Sequence, residues 1–265
     1  MLLFSTMNTF LFDSIIFGPV SSRRLGSSLG INLLPPGLKI CTYNCIYCEC
    51  GWTSQRKLED SEFPSRNLIK EALKDRLSEL RKSGDIPDAI TYAGNGEPTL
   101  HPEFEGIVDD SIELRDLISP ESKIVVLSNG SLSHIETVKR ALLKVDQNIL
   151  KLDSGIEGTY RALNQPPAGW KLADIVANLK NYNGELTIQS LFIRGMFRGI
   201  KIDNTTDKEI AELIKLYKDI RPSEVMVYTI DRGTPARGLE RIPYVELESI
   251  AQRIRETGIT TQVSG

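Results

Sequence analysis

Two hydrophobic periods alternate along most of the chain. Ile69, Leu73, Leu77 and Leu80 recur at helical spacing, and Pro87 closes the connection to Ala89-Ile90-Thr91-Tyr92-Ala93, which reads as a strand. Residues 103–118 predict a second helix and Ile124-Val125-Val126-Leu127 a short buried strand. Ser133 and Glu136 have capping-box spacing at the start of a helix through Ile135, Val138 and Leu142, and Ile149 to Leu152 is the next strand. The second half keeps the rhythm. Leu172 to Leu179 is a helix, Thr187 to Ile193 a strand, and Ile210, Leu213, Ile214 and Tyr217 mark a helix. Val225 to Ile230 is a strand, Leu247, Ile250, Ala251 and Ile254 mark the last long helix, and Ile259 to Val263 adds a terminal strand. With Leu29 to Leu34 as the first strand, the pattern gives six strand–helix units.

Strands alternating with helices imply a parallel sheet with right-handed crossovers, and short apolar strands imply that both of its faces are covered. Two α/β architectures satisfy this pattern. One is an open doubly wound sheet; the other is an incomplete barrel, since six units are too few for an eight-fold one. No linker, low-complexity tract or tandem repeat interrupts the chain. It reads as one domain over 1–265, with 1–28 as an N-terminal extension.

Charge narrows the function classes. Thirty-two Lys and Arg against thirty-five Asp and Glu give −3, without the basic excess of proteins that live on phosphate backbones, although a local basic patch is compatible with this balance. No run of 18 apolar residues exists, so no helical membrane span is expected. Met1 to Phe12 is apolar-rich, but the first basic residues, Arg23 and Arg24, follow it, and no small-residue cleavage site closes it. It reads as a first strand or a cap, with Met7 as a second candidate start, and the protein as cytoplasmic.

In parallel α/β folds, sites gather at the C-terminal ends of the strands. Those positions hold Gly94-Asn95-Gly96-Glu97-Pro98, Ser128-Asn129-Gly130, Asp153-Ser154-Gly155, Arg194-Gly195 and Asp231-Arg232-Gly233. Turns alone favour Gly, Asn and Asp. The cysteines add a chemical reason. All four, Cys41, Cys45, Cys48 and Cys50, fall within ten residues of one loop. A disulfide framework would spread them, and a chain this long needs no staples. Cys-x3-Cys-x2-Cys brings three soft thiolates to one place, which suits a four-iron cubane and leaves one iron open. Two other readings remain: a zinc site or a four-thiolate electron-transfer cluster that also uses Cys50, although the Cys48–Cys50 spacing suits neither well.

The motif Cys41-Thr42-Tyr43-Asn44-Cys45-Ile46-Tyr47-Cys48, with aromatic Tyr47 before the last cysteine, resembles the radical S-adenosylmethionine superfamily. Gly94 to Pro98 resembles that superfamily's Gly-Gly-Glu-Pro segment, with Asn95 in place of a glycine. Phe17 to Gly30, Gly94 to Leu100, Lys151-Leu152-Asp153 and Tyr228 to Arg232 resemble the radical enzymes grouped with tRNA wyosine-base synthases.

The resemblance implies a partial (βα)6 TIM-like barrel and an oxidoreductase-type radical enzyme. Cys41, Cys45 and Cys48 would hold a 4Fe–4S cluster, and S-adenosylmethionine would chelate the open iron. Reductive cleavage would yield a 5′-deoxyadenosyl radical for hydrogen abstraction. Gly94, Asn95, Gly96, Glu97 and Pro98 would form the segment that receives the methionine ammonium, with Glu97 as the charged acceptor. Glu97 alone also reads as a helix-start carboxylate. Tyr47 backbone would meet adenine, Ser128 and Asn129 the carboxylate or ribose, Asp153 a ribose hydroxyl, and Tyr228 and Thr229 the adenine. Gln189, polar within an apolar strand and so in need of a partner, is a further candidate cofactor contact, with a structural hydrogen bond as the other reading. His101, His134 and Cys50 receive no role. Arg23, Arg24, Arg194, Arg198 and Arg232 are candidates for an anionic substrate or plain solvated cations. With no further cysteines, the electron would come from an external flavodoxin- or ferredoxin-type donor. Nucleotide or tRNA base, peptide or protein, and small metabolite compete as the second substrate, and a non-catalytic iron–sulfur or zinc protein is the alternative of a different class.

Overall fold

The computed structural model describes residues 9–56 and 58–265. The expectation for Met1 to Phe12, including the start at Met7, therefore falls mostly outside the described residues. Thr9 to Phe12 form no strand; they lie as a cap on the cysteine loop, with Phe10 N donating to Glu49 O at 3.0 Å.

The chain opens with an antiparallel hairpin, β1 (Ile16–Ser22) and β2 (Gly26–Ile31). The alternation that follows is α1 (Arg66–Ser83), β3 (Ala89–Tyr92), α2 (Phe104–Ile118), β4 (Lys123–Ser128), α3 (Glu136–Lys144), β5 (Gln147–Lys151), α4 (Glu157–Asn164), α5 (Leu172–Lys180) and β6 (Thr187–Leu191). It continues through β7 (Ile193–Phe197), β8 (Ile200–Asp203), α6 (Asp207–Ile220), β9 (Glu224–Tyr228), β10 (Leu239–Arg241), α7 (Tyr244–Arg255) and β11 (Thr261–Ser264). Local signals set the boundaries. Ser65 accepts from Leu68 N to cap α1, whose buried stripe is Ile69, Leu73, Leu77 and Leu80, and Gly84 ends it in the left-handed region at φ 82°.

Strand order separates the two candidate architectures. The eight-stranded sheet runs β1-β2-β3-β4-β5-β6-β9-β11, in chain order and parallel throughout except for β1. A doubly wound sheet reverses its order part-way. Without a reversal, right-handed crossovers place the helices on one face, and the sheet curls into a partial barrel. Side chains alternate accordingly. Ile90, Ile124, Leu150, Ile188 and Val225 join the helices in the large core, while Ala89, Val125, Ile149 and Met226 form a small cluster on the other, inner face. The sheet's two free edges are β1 and β11. The β1–β2 turn reaches across to β11: Ser264 Oγ and Gln262 Nε2 donate to Arg23 O and Arg24 O, each at 3.5 Å. Among the described residues no helix is long and apolar enough to cross a membrane.

Several boundaries depart from the sequence pattern. The strand expected over Leu29 to Leu34 is Gly26–Ile31, and β1 before it is also in the main sheet, so the 1–28 extension is part of that sheet from Ile16 onward. Ser133 does not cap a helix; its Oγ donates to Gly130 O at 2.7 Å, closing a turn, and α3 starts later at Glu136. The strand expected over Thr187 to Ile193 breaks at Phe192, because Leu191 N is taken by Asp153 Oδ1 and Ile193 N by Asn204 Oδ1. From there the chain enters a separate three-stranded sheet, β10-β7-β8, which the period did not reveal.

Candidate active site at the cysteine loop

The cysteines lie between β2 and α1, over the C-terminal ends of the strands. Ile40, just before Cys41, forms a parallel bridge with Gly96: Ile40 N donates to Asn95 O at 2.9 Å and Glu97 N to Ile40 O at 3.0 Å. A Cβ on Gly96, at φ 138°, would sit 1.7 Å from Ile40 O. Only glycine allows this approach. The Gly94–Pro98 segment is therefore a shelf for the cysteine loop. Asn95 is fully buried and reads both backbone groups of Phe12: its Oδ1 accepts from Phe12 N and its Nδ2 donates to Phe12 O, each at 2.8 Å. That explains an amide where a glycine is usual, because the side chain ties the N-terminal cap down.

All four cysteines are free thiols, Cys45 buried and the others half-buried. Burial, reinforced by the Glu97 charge, pushes Cys41 up to about 12. Burial raises Cys45 as well. Cys48 goes the other way: a hydrogen bond from Cys50, then the Lys39 ammonium, overcome burial and hold it well below the usual thiol range. Cys50 is raised by that same bond and by burial, and its Sγ lies 3.2 Å from Gly94 O. Lys39 is itself buried, with Nζ donating to Gly51 O at 2.7 Å. Burial works against its charge, but Cys48, Cys41 and Cys45 outweigh it and raise its pKa.

Two amides also face the sulfurs. Asn129 Nδ2 lies 3.4 Å from Cys41 Sγ, and Asn164 Nδ2 lies 3.5 Å from Cys45 Sγ. A buried ammonium and two N–H donors suit thiolates that carry negative charge onto a metal cluster, where such contacts tune ligands. Among the described residues no three His, Cys, Asp or Glu side chains converge as ligands of a single ion. A cubane asks for a different arrangement, since each thiolate binds its own iron. The sequence pattern did not single out Lys39 or Asn164. A charge between Leu38 and Ile40 was a visible signal for the first, whereas Asn164 ends α4, a helix the pattern missed.

The other sequence-derived residues fall into three groups. Glu97 is buried and accepts four hydrogen bonds: Oε1 from Thr99 N (3.2 Å), Thr99 Oγ1 (2.6 Å) and Ser128 Oγ (2.7 Å), and Oε2 from Asn129 N (2.7 Å). Burial raises its pKa despite these bonds. Pro98 follows at the first position of a short 3-10 turn, and Asn129 Nδ2 reaches Thr42 Oγ1 at 2.8 Å. This group fixes the shelf to β4 and to the loop.

Asp153 centres the second group. It accepts from Tyr47 OH, from Asn164 Nδ2 at 2.8 Å and from Leu191 N at 3.0 Å, with Lys151 Nζ 3.6 Å away. Burial and then the Asp153 charge keep Tyr47 protonated well beyond its normal range. Burial opposes the charge on Lys151, but Asp153 and Tyr228 prevail and raise it. Thus the aromatic of the cysteine motif is anchored to the end of β5.

The third group borders a cavity of about 400 Å³ beside the loop, lined by Tyr47, Cys48, Cys50, Gly94, Lys151, Tyr228 and Thr229, with Arg24 and the Phe10, Phe12 and Phe17 rings. The Thr229 hydroxyl turns away to Phe192 O. Gln189 finds its partner in Arg24, whose Nη1 donates to Oε1 at 2.7 Å. His101 packs edge-on against Phe63 and meets Pro64 O at 2.8 Å, away from the cavity.

Residues 37–217, from the cysteine loop through β6 to α6, match the family model of the Radical SAM superfamily. The chain belongs to the radical SAM superfamily. This radical SAM superfamily member is 31% identical over 238 residues to a UPF0026 protein of Methanocaldococcus jannaschii, covering 88% of this chain and 68% of that one. It spans 32% of the length of one curated relative and 67% to 68% of others. Among solved structures, it superposes on a radical SAM methyltransferase from Sphaerobacter thermophilus with TM-score 0.65 at 18% identity, over 89% of this chain and 65% of that one. It superposes on TYW1 with a lysine-pyruvate adduct bound with TM-score 0.62 at 18% identity, over 88% and 75%. At such identities the likeness to these structures is one of fold alone.

Proposed function

We propose that the protein cleaves S-adenosylmethionine at a 4Fe–4S cluster held by Cys41, Cys45 and Cys48. When bound, the two groups supply one-electron scission of the sulfonium to methionine and a 5′-deoxyadenosyl radical that takes a hydrogen atom from a substrate C–H. The observation that carries this reading is the buried Lys39 ammonium, with the Asn129 and Asn164 amides, around three thiols of which Cys48 borders a cavity of substrate size. Cys50, directed at Gly94 O, is left out of the ligand set. The shelf built on Gly96 and Glu97 holds the loop against the barrel rim. Tyr47, Asp153 and Asn164 stiffen its other side. The Phe10 and Phe12 cap helps exclude water. The electron comes from an external flavodoxin- or ferredoxin-type donor, because all four cysteines occupy this one loop. A nucleotide or tRNA base, a peptide and a small metabolite all remain candidates for the second substrate.

Anaerobic reconstitution tests the reading. The loaded protein should be brown and hold about four irons per chain, as a cubane requires. With a strong one-electron reductant and S-adenosylmethionine it should release 5′-deoxyadenosine, measured by chromatography, and Cys45→Ala should release none. A fully loaded, reduced cluster that binds no S-adenosylmethionine would instead favour a simple electron carrier.

A further inference from the structure

The cavity beside the cysteine loop has an unbalanced charge. Arg23, Arg24, Lys151 and Arg232 line it, and Arg241 stands at its edge through Asp231. Three carboxylates answer these five cations. Asp231 is shared by Arg23 at 3.7 Å and Arg241 at 3.4 Å, Glu49 meets Arg232 at 3.4 Å, and Asp153 meets Lys151 at 3.6 Å. Arg24 has no acidic partner among the described residues. It belongs to the β1–β2 turn that crosses the gap between the sheet's edges, and its side chain enters the lumen. There Gln189 Oε1 holds one N–H, and the guanidinium lies 4.5 Å from the centre of the Tyr228 ring. Lys151 reaches the hydroxyl of the same tyrosine, with Nζ 3.5 Å from it. Two half-buried cations therefore converge on one tyrosine inside the barrel, Arg24 at its ring and Lys151 at its hydroxyl.

Holding like charges together away from water costs free energy unless an anion joins them. Arg24 is positioned by an amide and a ring face, neither of which neutralises it, so most of its planar donor fork remains open. Such a fork matches an oxyanion in two-point contact.

We propose that Arg24 and Lys151 form an anchoring site for an oxyanion, a carboxylate or phosphate, carried by the second substrate. The anchor rests on the radical-enzyme reading for what it positions: a substrate held by its anionic end, with its C–H groups toward the cysteine loop. Gln189 and Tyr228 are positioning residues that aim the guanidinium.

Calorimetric titration of the cluster-loaded protein tests the anchor, with inorganic phosphate in one arm and acetate in the other, each with and without saturating S-adenosylmethionine. At least one probe should bind in both conditions, and the tighter arm names the anion. Arg24→Gln should weaken that probe about tenfold or more, the range for a charged hydrogen-bonded contact. Arg24→Lys should lose less, and both variants should keep the wild-type affinity for S-adenosylmethionine. Three results would overturn the proposal: no binding of either probe to wild type, unchanged binding to a folded Arg24→Gln, or competition between the probe and S-adenosylmethionine, which would assign the site to the cofactor's own carboxylate. Deoxyadenosine release by the same preparation reports separately on the radical-enzyme reading, and the titration without S-adenosylmethionine reads the anchor even if that reading fails.

Discussion

Glu97 can serve the site without meeting a ligand. Its carboxylate gathers four donors from the shelf and from β4, and two of them, Ser128 Oγ and Asn129 N, lie more than thirty residues away in sequence. Glu97→Gln keeps the shape but turns an amide N–H₂ toward N–H or O–H donors. It should lower stability by about 3 kcal/mol, read from the urea midpoint, as expected when buried donors lose their acceptor. Cys50 poses the opposite question, since a reactive group there has only a carbonyl and a neighbouring thiol. Cys41→Ala, Cys45→Ala and Cys48→Ala should each abolish the intact cluster, whereas Cys50→Ala should retain about four irons per chain by iron assay. Loss of iron in Cys50→Ala would enlarge the ligand set. The cysteines were legible in sequence because four thiols in ten residues are chemically distinctive. Lys39 and Asn164 were not, because their meaning depends on distances that only folding creates.

At the scale of elements, what the sequence showed depended on how periodic each segment is. α1 was plain from Ile69, Leu73, Leu77 and Leu80 because one amphipathic face meets the sheet. β7, β8 and β10 were hidden: their sheet is small, half exposed, and entered through a break at Phe192 enforced by Asp153 and Asn204 side chains. The Ser133–Glu136 pair had the right spacing, but the turn carbonyl at Gly130 claimed the hydroxyl first. The Thr9–Phe12 cap has no period at all, and Asn95 fastens it. Asn95→Ala removes the bonds to Phe12 N, Phe12 O and Pro35 O. Amide exchange at Phe10 and Phe12 should then speed up by about tenfold or more, the equivalent of roughly 1.4 kcal/mol of local protection, while α1 keeps its protection. Unchanged exchange at Phe12 would show that the Phe10, Phe12 and Phe17 rings hold the cap by themselves.

For the whole molecule, counting strand–helix units could not separate a barrel from a doubly wound sheet, because both share the same local pattern. The distinction lies in which strands pair, and strictly sequential pairing is a property of the assembled sheet. The inner cluster of Ala89, Val125, Ile149 and Met226 likewise becomes visible only once the sheet has curled. The contact that spans the curl also joins distant parts of the chain: the β1–β2 turn meets β11 across 238 and 241 residues. During synthesis at about 5–20 residues per second, the turn bearing Arg24 waits roughly 12–48 s before its partner strand has even been polymerised. Until then the nascent chain exposes its cysteine loop beside an unfinished wall. The order of manufacture thus separates the making of the cysteine loop from the closing of the chamber beside it, and leaves an interval in which that loop is open from the side.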